Sequence, residues 1–130
     1  MNSCPCGSGL EYERCCHKFI LAGQLPQSAE ELMRSRYTAF TKQDVDYLKK
    51  TSSGAALARF SYKDTIAFAR VAKWIRLSII KTTKTPDPNL CFVEFIADFS
   101  MQGTISKIHE ISRFERKGDI WYYVEGKHLE

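Results

Sequence analysis

Leu90-Cys91-Phe92-Val93-Glu94-Phe95-Ile96-Ala97-Asp98-Phe99-Ser100-Met101 alternates. Val93, Phe95, Ala97 and Phe99 face one way, and Glu94, Asp98 and Ser100 the other. A period of two in an aromatic-rich run describes a strand with one face on a core and one toward water. Gln102-Gly103 then turns the chain into Thr104–Arg116. That strand carries Ser106, Ile108, Glu110, Ser112 and Phe114 on one face, and Ile105, Lys107, His109, Ile111, Arg113 and Glu115 on the other. With the turn centred between 102 and 103, Asp98 falls opposite position 107, and His109 becomes its diagonal neighbour. Lys117-Gly118-Asp119 turns again into Ile120–Glu125. On the other side, Thr85-Pro86-Asp87-Pro88-Asn89 is a turn behind the β-branched run Trp74–Thr83.

Upstream of Trp74 the period changes. Ser28-Ala29-Glu30-Glu31 has serine at N-cap and glutamate three residues on, a capping box. Leu32, Arg36, Ala39 and Phe40 follow on one face, with Met33 and Tyr37 adjoining, which predicts a helix over 29–42. Asp44-Val45-Asp46-Tyr47-Leu48-Lys49-Lys50 predicts a second, short helix, acidic at its start and basic at its end, as the helix dipole favours. Residues 55–73 read as further short helical pieces around Ala55–Ala58 and after Ser61. Helices first and hairpin-linked strands afterwards predict an α+β domain, with helices laid on one face of an antiparallel sheet. A twisted sheet curled around a helix makes a cone whose mouth is a natural pocket.

The N-terminus is of another kind. Cys4-Pro5-Cys6-Gly7-Ser8-Gly9-Leu10-Glu11-Tyr12-Glu13-Arg14-Cys15-Cys16-His17 holds four of the chain's five cysteines and one of its three histidines. Thiolates this crowded repel one another unless a cation gathers them, and a tetrahedral Zn²⁺ is the usual one. Gly7 and Gly9 free the backbone for a sharp turn, Pro5 stiffens the first pair, and Arg14 and Lys18 offset negative charge. Met1-Asn2-Ser3 has neither a basic n-region nor an apolar h-region, so no secretory signal is expected. Metal binding in a cytoplasmic protein is then favoured over disulfides, and C-x-C is not a thioredoxin-type motif. Phe19, Ile20 and Leu21 are expected to pack this knuckle onto the main domain, with Gly23 and Pro26 punctuating the connector.

This stretch resembles the SEC-C zinc motif, found at the C-terminus of the SecA translocation ATPase and in small bacterial proteins. The resemblance implies Cys4, Cys6, Cys15 and Cys16 as the metal ligands. The SecA motif has histidine directly after its third cysteine, where this chain has Cys16, so His17 is the alternative fourth ligand. Leu32–Phe40, Asp44–Leu48, Ile111–Phe114 and Trp121–Gly126 resemble the YchJ family of small bacterial proteins. That likeness spans essentially the whole chain. It implies a SEC-C motif over 1–20 and a nuclear transport factor 2-like (NTF2-like) cone over 21–130, and it brings no established activity. Some members of that family carry a second SEC-C motif at the C-terminus, which Gly126–Glu130 does not supply.

A length of 130 residues suits about one domain with a modest core, and 44% hydrophobic with 26% charged residues is an ordinary globular balance. No apolar run approaches the ~18 residues of a membrane span. A net charge of +4 permits weak attraction to acidic partners without requiring it. The polar candidates for the cone are Arg34, Arg36, Tyr37, Asp98, His109, Glu110 and Arg113. His109 and Glu110, adjacent in a strand, point to opposite faces and form no dyad. Arg34 and Arg36 face apart on their helix, and whichever is buried is expected to pair with Glu110 or Glu115. Cys91 reads as core, and Trp121-Tyr122-Tyr123 as alternating core and surface. No catalytic residue stands out. The leading expectation is an accessory zinc protein whose knuckle docks on a protein partner, a ribosomal component or a secretion chaperone among them. The alternatives are an enzyme or small-molecule binder using the cone pocket, and a weak nucleic-acid binder using the basic knuckle.

Overall fold

The computed structural model describes residues 2–129. After a 3₁₀ turn at Tyr12–Arg14, five helices follow: α1 His17–Ile20, α2 Ala29–Thr41, α3 Val45–Lys50, α4 Gly54–Ala58 and α5 Tyr62–Val71. Four strands complete the chain: β1 Lys73–Lys84, β2 Leu90–Met101, β3 Thr104–Lys117 and β4 Ile120–His128. They form one sheet in the order β1-β2-β3-β4, antiparallel throughout. Short turns permit nothing else, because each strand can only fold back beside its predecessor.

The helix ends follow side-chain chemistry. Ser28 accepts from the Glu31 amide at 3.1 Å, Asp44 from Tyr47 at 3.0 Å and Ser61 from Asp64 at 3.1 Å. Each satisfies a backbone donor that has no partner within its own helix. Glu31 departs from the reciprocal capping box, since it reaches past Ser28 to the Gln27 amide at 2.7 Å.

The register of β2 and β3 is the one the turn predicts, with Asp98 opposite Lys107 and Phe95 opposite Glu110. Val93, Phe95, Ala97 and Phe99 are buried toward the helices, together with Cys91, and Glu110, Ser112 and Phe114 oppose them on the same face. Two register shifts in β1 and one between Arg113 and Phe114 bend the sheet, as an extra residue on one strand of a pair does. β4 runs three residues beyond the expected Glu125, with Gly126, Lys127 and His128 pairing with Ser112, Ile111 and Glu110. A polar edge strand gives no apolar alternation to read. The other side of β4 is covered where Ser53 donates to the Tyr123 carbonyl (2.9 Å) and the Tyr123 amide donates to Thr51 (2.8 Å), which leaves less of that edge unpaired.

The connector behaves as expected in part. Phe19 is buried and Ile20 packs against the core, but Leu21 is 65% exposed. Two residues along a helical turn are about 200° apart, so Phe19 and Leu21 cannot face the same way.

Phe95 lies at the centre of this core, 6% exposed. Phe95→Ala is expected to cost about 3–5 kcal/mol, the usual range for truncating a buried aromatic. Chemical denaturation of the two proteins measures it, and a near-neutral value would mean that the inward face is misassigned.

Candidate metal centre and the cone pocket

The hairpin that carries the cysteines is held by its backbone. Cys4 donates to the Leu10 carbonyl at 2.9 Å, and Ser3 bridges to Glu11. Gly7 and Gly9 sit at φ +79° and +87°, a conformation that side chains with a Cβ rarely adopt. The turn brings Cys4 and Cys6 to Cys15 and Cys16. All four side chains are buried, and their sulfurs lie within 4.8 Å of one another.

Two separations test whether a metal fits. Cys6 Sγ stands 3.6 Å from Cys15 Sγ, and Cys15 Sγ 3.9 Å from Cys16 Sγ. Four sulfurs at about 2.3 Å from one tetrahedral ion stand about 3.8 Å apart. The cluster therefore has the dimensions of a four-sulfur metal site. His17 is outside it, at the start of α1, where its ring packs edge-on against Tyr12 at 5.4 Å.

The thiols alone are a frustrated set. Hydrogen bonds from Cys16 and then Cys6 push Cys4 far down. The hydrogen bonds to Cys4 and Cys6, followed by burial, push Cys16 far up. Burial raises Cys15 despite its contact with Ser8 Oγ at 3.2 Å. One thiolate is stabilised by its neighbours' protons, so all four ionise together only around a cation.

Helix α2 supplies the surroundings. Thr38 Oγ1 lies 3.7 Å from Cys4 Sγ, and Arg34 Nη1 donates to the Cys6 carbonyl at 2.7 Å. Arg34 also pairs with Glu30 at 3.0 Å, one turn earlier. Burial alone would lower the Arg34 pKa, but the bonds to Glu30 and Cys6 outweigh it and the net shift is upward. A fixed cation beside the cluster offsets the negative charge of four thiolates on a dication.

The other face of α2 lines the cone. A pocket of about 160 Å³ is enclosed mainly by Met33, Tyr37, Phe40, Phe68, Phe95 and Trp74, with Arg36, Glu110, Ser112 and Tyr123 at its polar end. Trp74 makes ring contacts with Tyr37, Phe40, Phe68 and Phe99 at 5.4–5.7 Å. Its indole N–H is buried without an acceptor among the described residues.

The candidates divide by sheet face. Arg36, Tyr37 and Glu110 line the pocket. Asp98, His109 and Arg113 lie on the opposite face, because their strand positions alternate with the buried ones. There Asp98 pairs with Arg76 at 3.3 Å, His109 with Glu94 at 2.7 Å and Arg113 with Glu115 at 2.9 Å. Glu94 is the diagonal neighbour on the other side of His109, so the imidazole had two carboxylates to choose between.

Arg36 corrects a second expectation. It is buried, but it pairs with neither Glu110 nor Glu115. Its Nη1 donates to the Leu48 carbonyl (2.9 Å), Thr51 Oγ1 (2.6 Å) and Ser52 Oγ (3.3 Å) at the end of α3. The guanidinium carbon stands 4.5 Å from the Tyr123 ring centre. Burial pushes Arg36 down to about 10, so it stays charged at neutral pH. Glu110 takes other partners: Oε2 accepts from Ser112 (2.5 Å) and Tyr123 (3.0 Å), and Oε1 lies 3.4 Å from His128 Nε2. Burial and then the Glu110 charge raise the Tyr123 phenol. Gly126 leaves the space this carboxylate occupies, since a Cβ there would meet Glu110 and the Tyr123 hydroxyl. Tyr123 was read from the sequence only as part of an alternating aromatic run, and Thr38 and Gly126 were not singled out. An unusual glycine inside a strand was the available signal for the last.

Fold and cluster together define a SEC-C motif set on an NTF2-like domain. Residues 2–18 match the model of the SEC-C motif, and residues 28–126 match that of the YchJ middle NTF2-like domain. The chain belongs to the YchJ family. It is similar to a SEC-C motif-containing protein from Rhodopseudomonas palustris, known from a solution structure, at 31% identity and TM-score 0.89 over 100% of both chains. A crystal structure of a SEC-C motif-containing protein from Psychrobacter arcticus matches at 27% identity and TM-score 0.81, over 98% of this chain and 82% of that one. The intermembrane-space region of the chloroplast protein ARC6 shares the fold alone, at 15% identity and TM-score 0.55 over 80% of this chain and 98% of its own.

Groups that hold metal ligands in place tune metal retention about 10–100-fold. Thr38→Val removes the hydroxyl at Cys4 while keeping the side-chain shape. It is expected to weaken metal retention by about tenfold in a chelator competition. Equal retention would mean that the hydroxyl does not support the sulfur.

Proposed function

We propose that Cys4, Cys6, Cys15 and Cys16 bind one Zn²⁺ as thiolates, with His17 outside the ligand set, and that the zinc-held hairpin is a docking element for a protein partner. The observation that carries the zinc reading is a buried cluster of four sulfurs within 4.8 Å of one another, with Cys15 Sγ at 3.6 Å from Cys6 Sγ and 3.9 Å from Cys16 Sγ. Sulfur ligands in tetrahedral number select zinc over hard cations. Four protein ligands close the ion, leaving no position for water or substrate, so its role is to build the hairpin.

Docking is supported by what the hairpin presents. Leu10, at its turn, is 52% exposed, and Leu21 and Leu25 beside the motif are 65% and 40% exposed. Exposed leucines on and after a rigid hairpin, with Arg14 and Lys18 between them in sequence, suit a protein surface with apolar pockets and acidic groups. Among the described residues no helix is long and apolar enough to cross a membrane, so membrane insertion through a helix does not account for these leucines.

Metal analysis of protein purified under reducing conditions is expected to give about one Zn²⁺ per chain, lost in the Cys15→Ser, Cys16→Ser double variant. Absence of metal in the wild type would overturn the site. Affinity capture should then compare wild type, the double variant and Leu10→Asp, which keeps all four sulfurs. One partner retained by wild type and lost by both variants is the expected outcome. Capture unaffected by Leu10→Asp would move the docking surface away from the hairpin tip.

Zinc removal should act locally first. Amide exchange after chelation is expected to lose protection over residues 2–20, then at Arg34–Thr38, with β2 and β3 protected longest. Metal binding is folding energy for the hairpin but not for the sheet. Uniform loss across the chain would show that zinc holds the entire fold.

A further inference from the structure

We propose that the cone pocket binds a small monocarboxylate with an aryl or short acyl body, and that the Nε–Nη2 edge of Arg36 holds its carboxylate. This goes beyond the zinc reading and does not rest on it. Arg36 is 8% exposed. All three of its hydrogen bonds leave from Nη1, and none of the described carboxylates lies within ion-pair distance of it. Nε and Nη2 have no acceptor among the described residues, yet they are absent from the sealed, unpartnered atoms, which among those residues are the two indole nitrogens. They therefore border accessible space, and Arg36 lines both the cone pocket and the cleft that adjoins it. Buried guanidinium groups ordinarily have an anionic partner. Glu110 acts on Arg36 through its charge alone, without a hydrogen bond to either nitrogen.

That edge has a specific shape. Nε–H and Nη2–H point the same way and match the two oxygens of a carboxylate. The Nη1 bonds to the end of α3, with the Tyr123 ring against the guanidinium, fix the fork in advance, which lowers the ordering cost of binding. Glu110 is the obvious internal competitor, but its oxygens are engaged by Ser112, Tyr123 and His128.

The body of the ligand follows from the walls. Met33, Tyr37, Phe40, Phe68 and Phe95 offer apolar and aromatic surface. The volume of about 160 Å³ is that of a one-ring body; an apolar cavity of roughly 150 Å³ holds benzene. Arg36, Phe40 and Tyr123 also line the adjoining open cleft, whose rim carries a cation (Arg59), an imidazole (His128) and acids (Asp64, Glu125). The rim has no dominant sign, which leaves selection for charge to Arg36.

The test is a titration of the zinc-loaded full chain with phenylacetate, benzyl alcohol and benzylamine, followed by NMR. Phenylacetate is expected to shift the Arg36 Nε–H resonance and amides of α2 and β3 saturably. It should bind about tenfold tighter than benzyl alcohol, the worth of one charge-assisted fork. Arg36→Lys, which keeps the charge and loses the fork, should abolish that advantage, bringing phenylacetate down to the level of benzyl alcohol in the same variant. If that variant does not fold, contacts between the ring protons of phenylacetate and Met33 or Ile108 in the wild type decide the matter. Tighter binding of benzylamine would make Glu110 the anchor and overturn the proposal, as would no binding of phenylacetate at millimolar concentration or binding that leaves Arg36 unmoved.

Discussion

Helix α2 is wetted almost nowhere, and the structure is arranged around that constraint. Eight of its residues are buried, Ser35, Arg36 and Thr38 among them. A helix buried on all sides must find partners in every direction. At about 100° per residue, Met33, Tyr37 and Phe40 fall toward the cone, and Arg34 and Thr38 toward the cysteines. Leu32, Ser35, Arg36 and Ala39 fall toward α3, where Ser35 bonds Tyr47 at 2.7 Å. The cysteine cluster, the aromatic cone and the end of α3 are therefore three sides of one helix.

This arrangement explains why polar side chains can sit so deep. Thr38 meets a sulfur, Ser35 a phenol, and Arg36 the carbonyl and hydroxyls that end α3. Each of these three side chains has at least one partner, at a cost far below that of leaving it bare. The same logic holds across the pocket, where Glu110 is accepted into the sheet by a serine, a tyrosine and the glycine that leaves it room. The arrangement ties β3 to β4 at the point where β4 is most polar.

Much of this was legible in the residues. Strict alternation in Leu90–Met101 set the sheet's faces, and the two-residue turn at Gln102-Gly103 set the register to the residue. Cysteine spacing pointed to the cluster because a short chain segment can bring close sulfurs only to one another. The losses have a common cause. Arg36 was matched to carboxylates on the distant sheet, and Leu21 to the apolar residues beside it in the chain. Their actual surroundings depend on where α3 ends and how a four-residue helix is rotated. Long side chains choose among partners within reach by tertiary geometry, which periodicity does not contain. The end of β4 was hidden for the opposite reason: backbone pairing needs no apolar pattern at an edge.

The shared helix also limits what either site can do alone. The sulfur cluster touches Arg34 and Thr38, and the pocket touches Met33, Arg36, Tyr37 and Phe40. These residues interleave over about two turns of one helix, so their backbones move together with its axis. A displacement of α2 large enough to open the cone would stretch the bond to the Cys6 carbonyl. A cluster drawn tight around an ion holds that carbonyl in place. The cysteines and the cone thus share one helix, and Cys6 also reaches the cone by charge, adding to burial and Asp98 in raising the Tyr37 phenol.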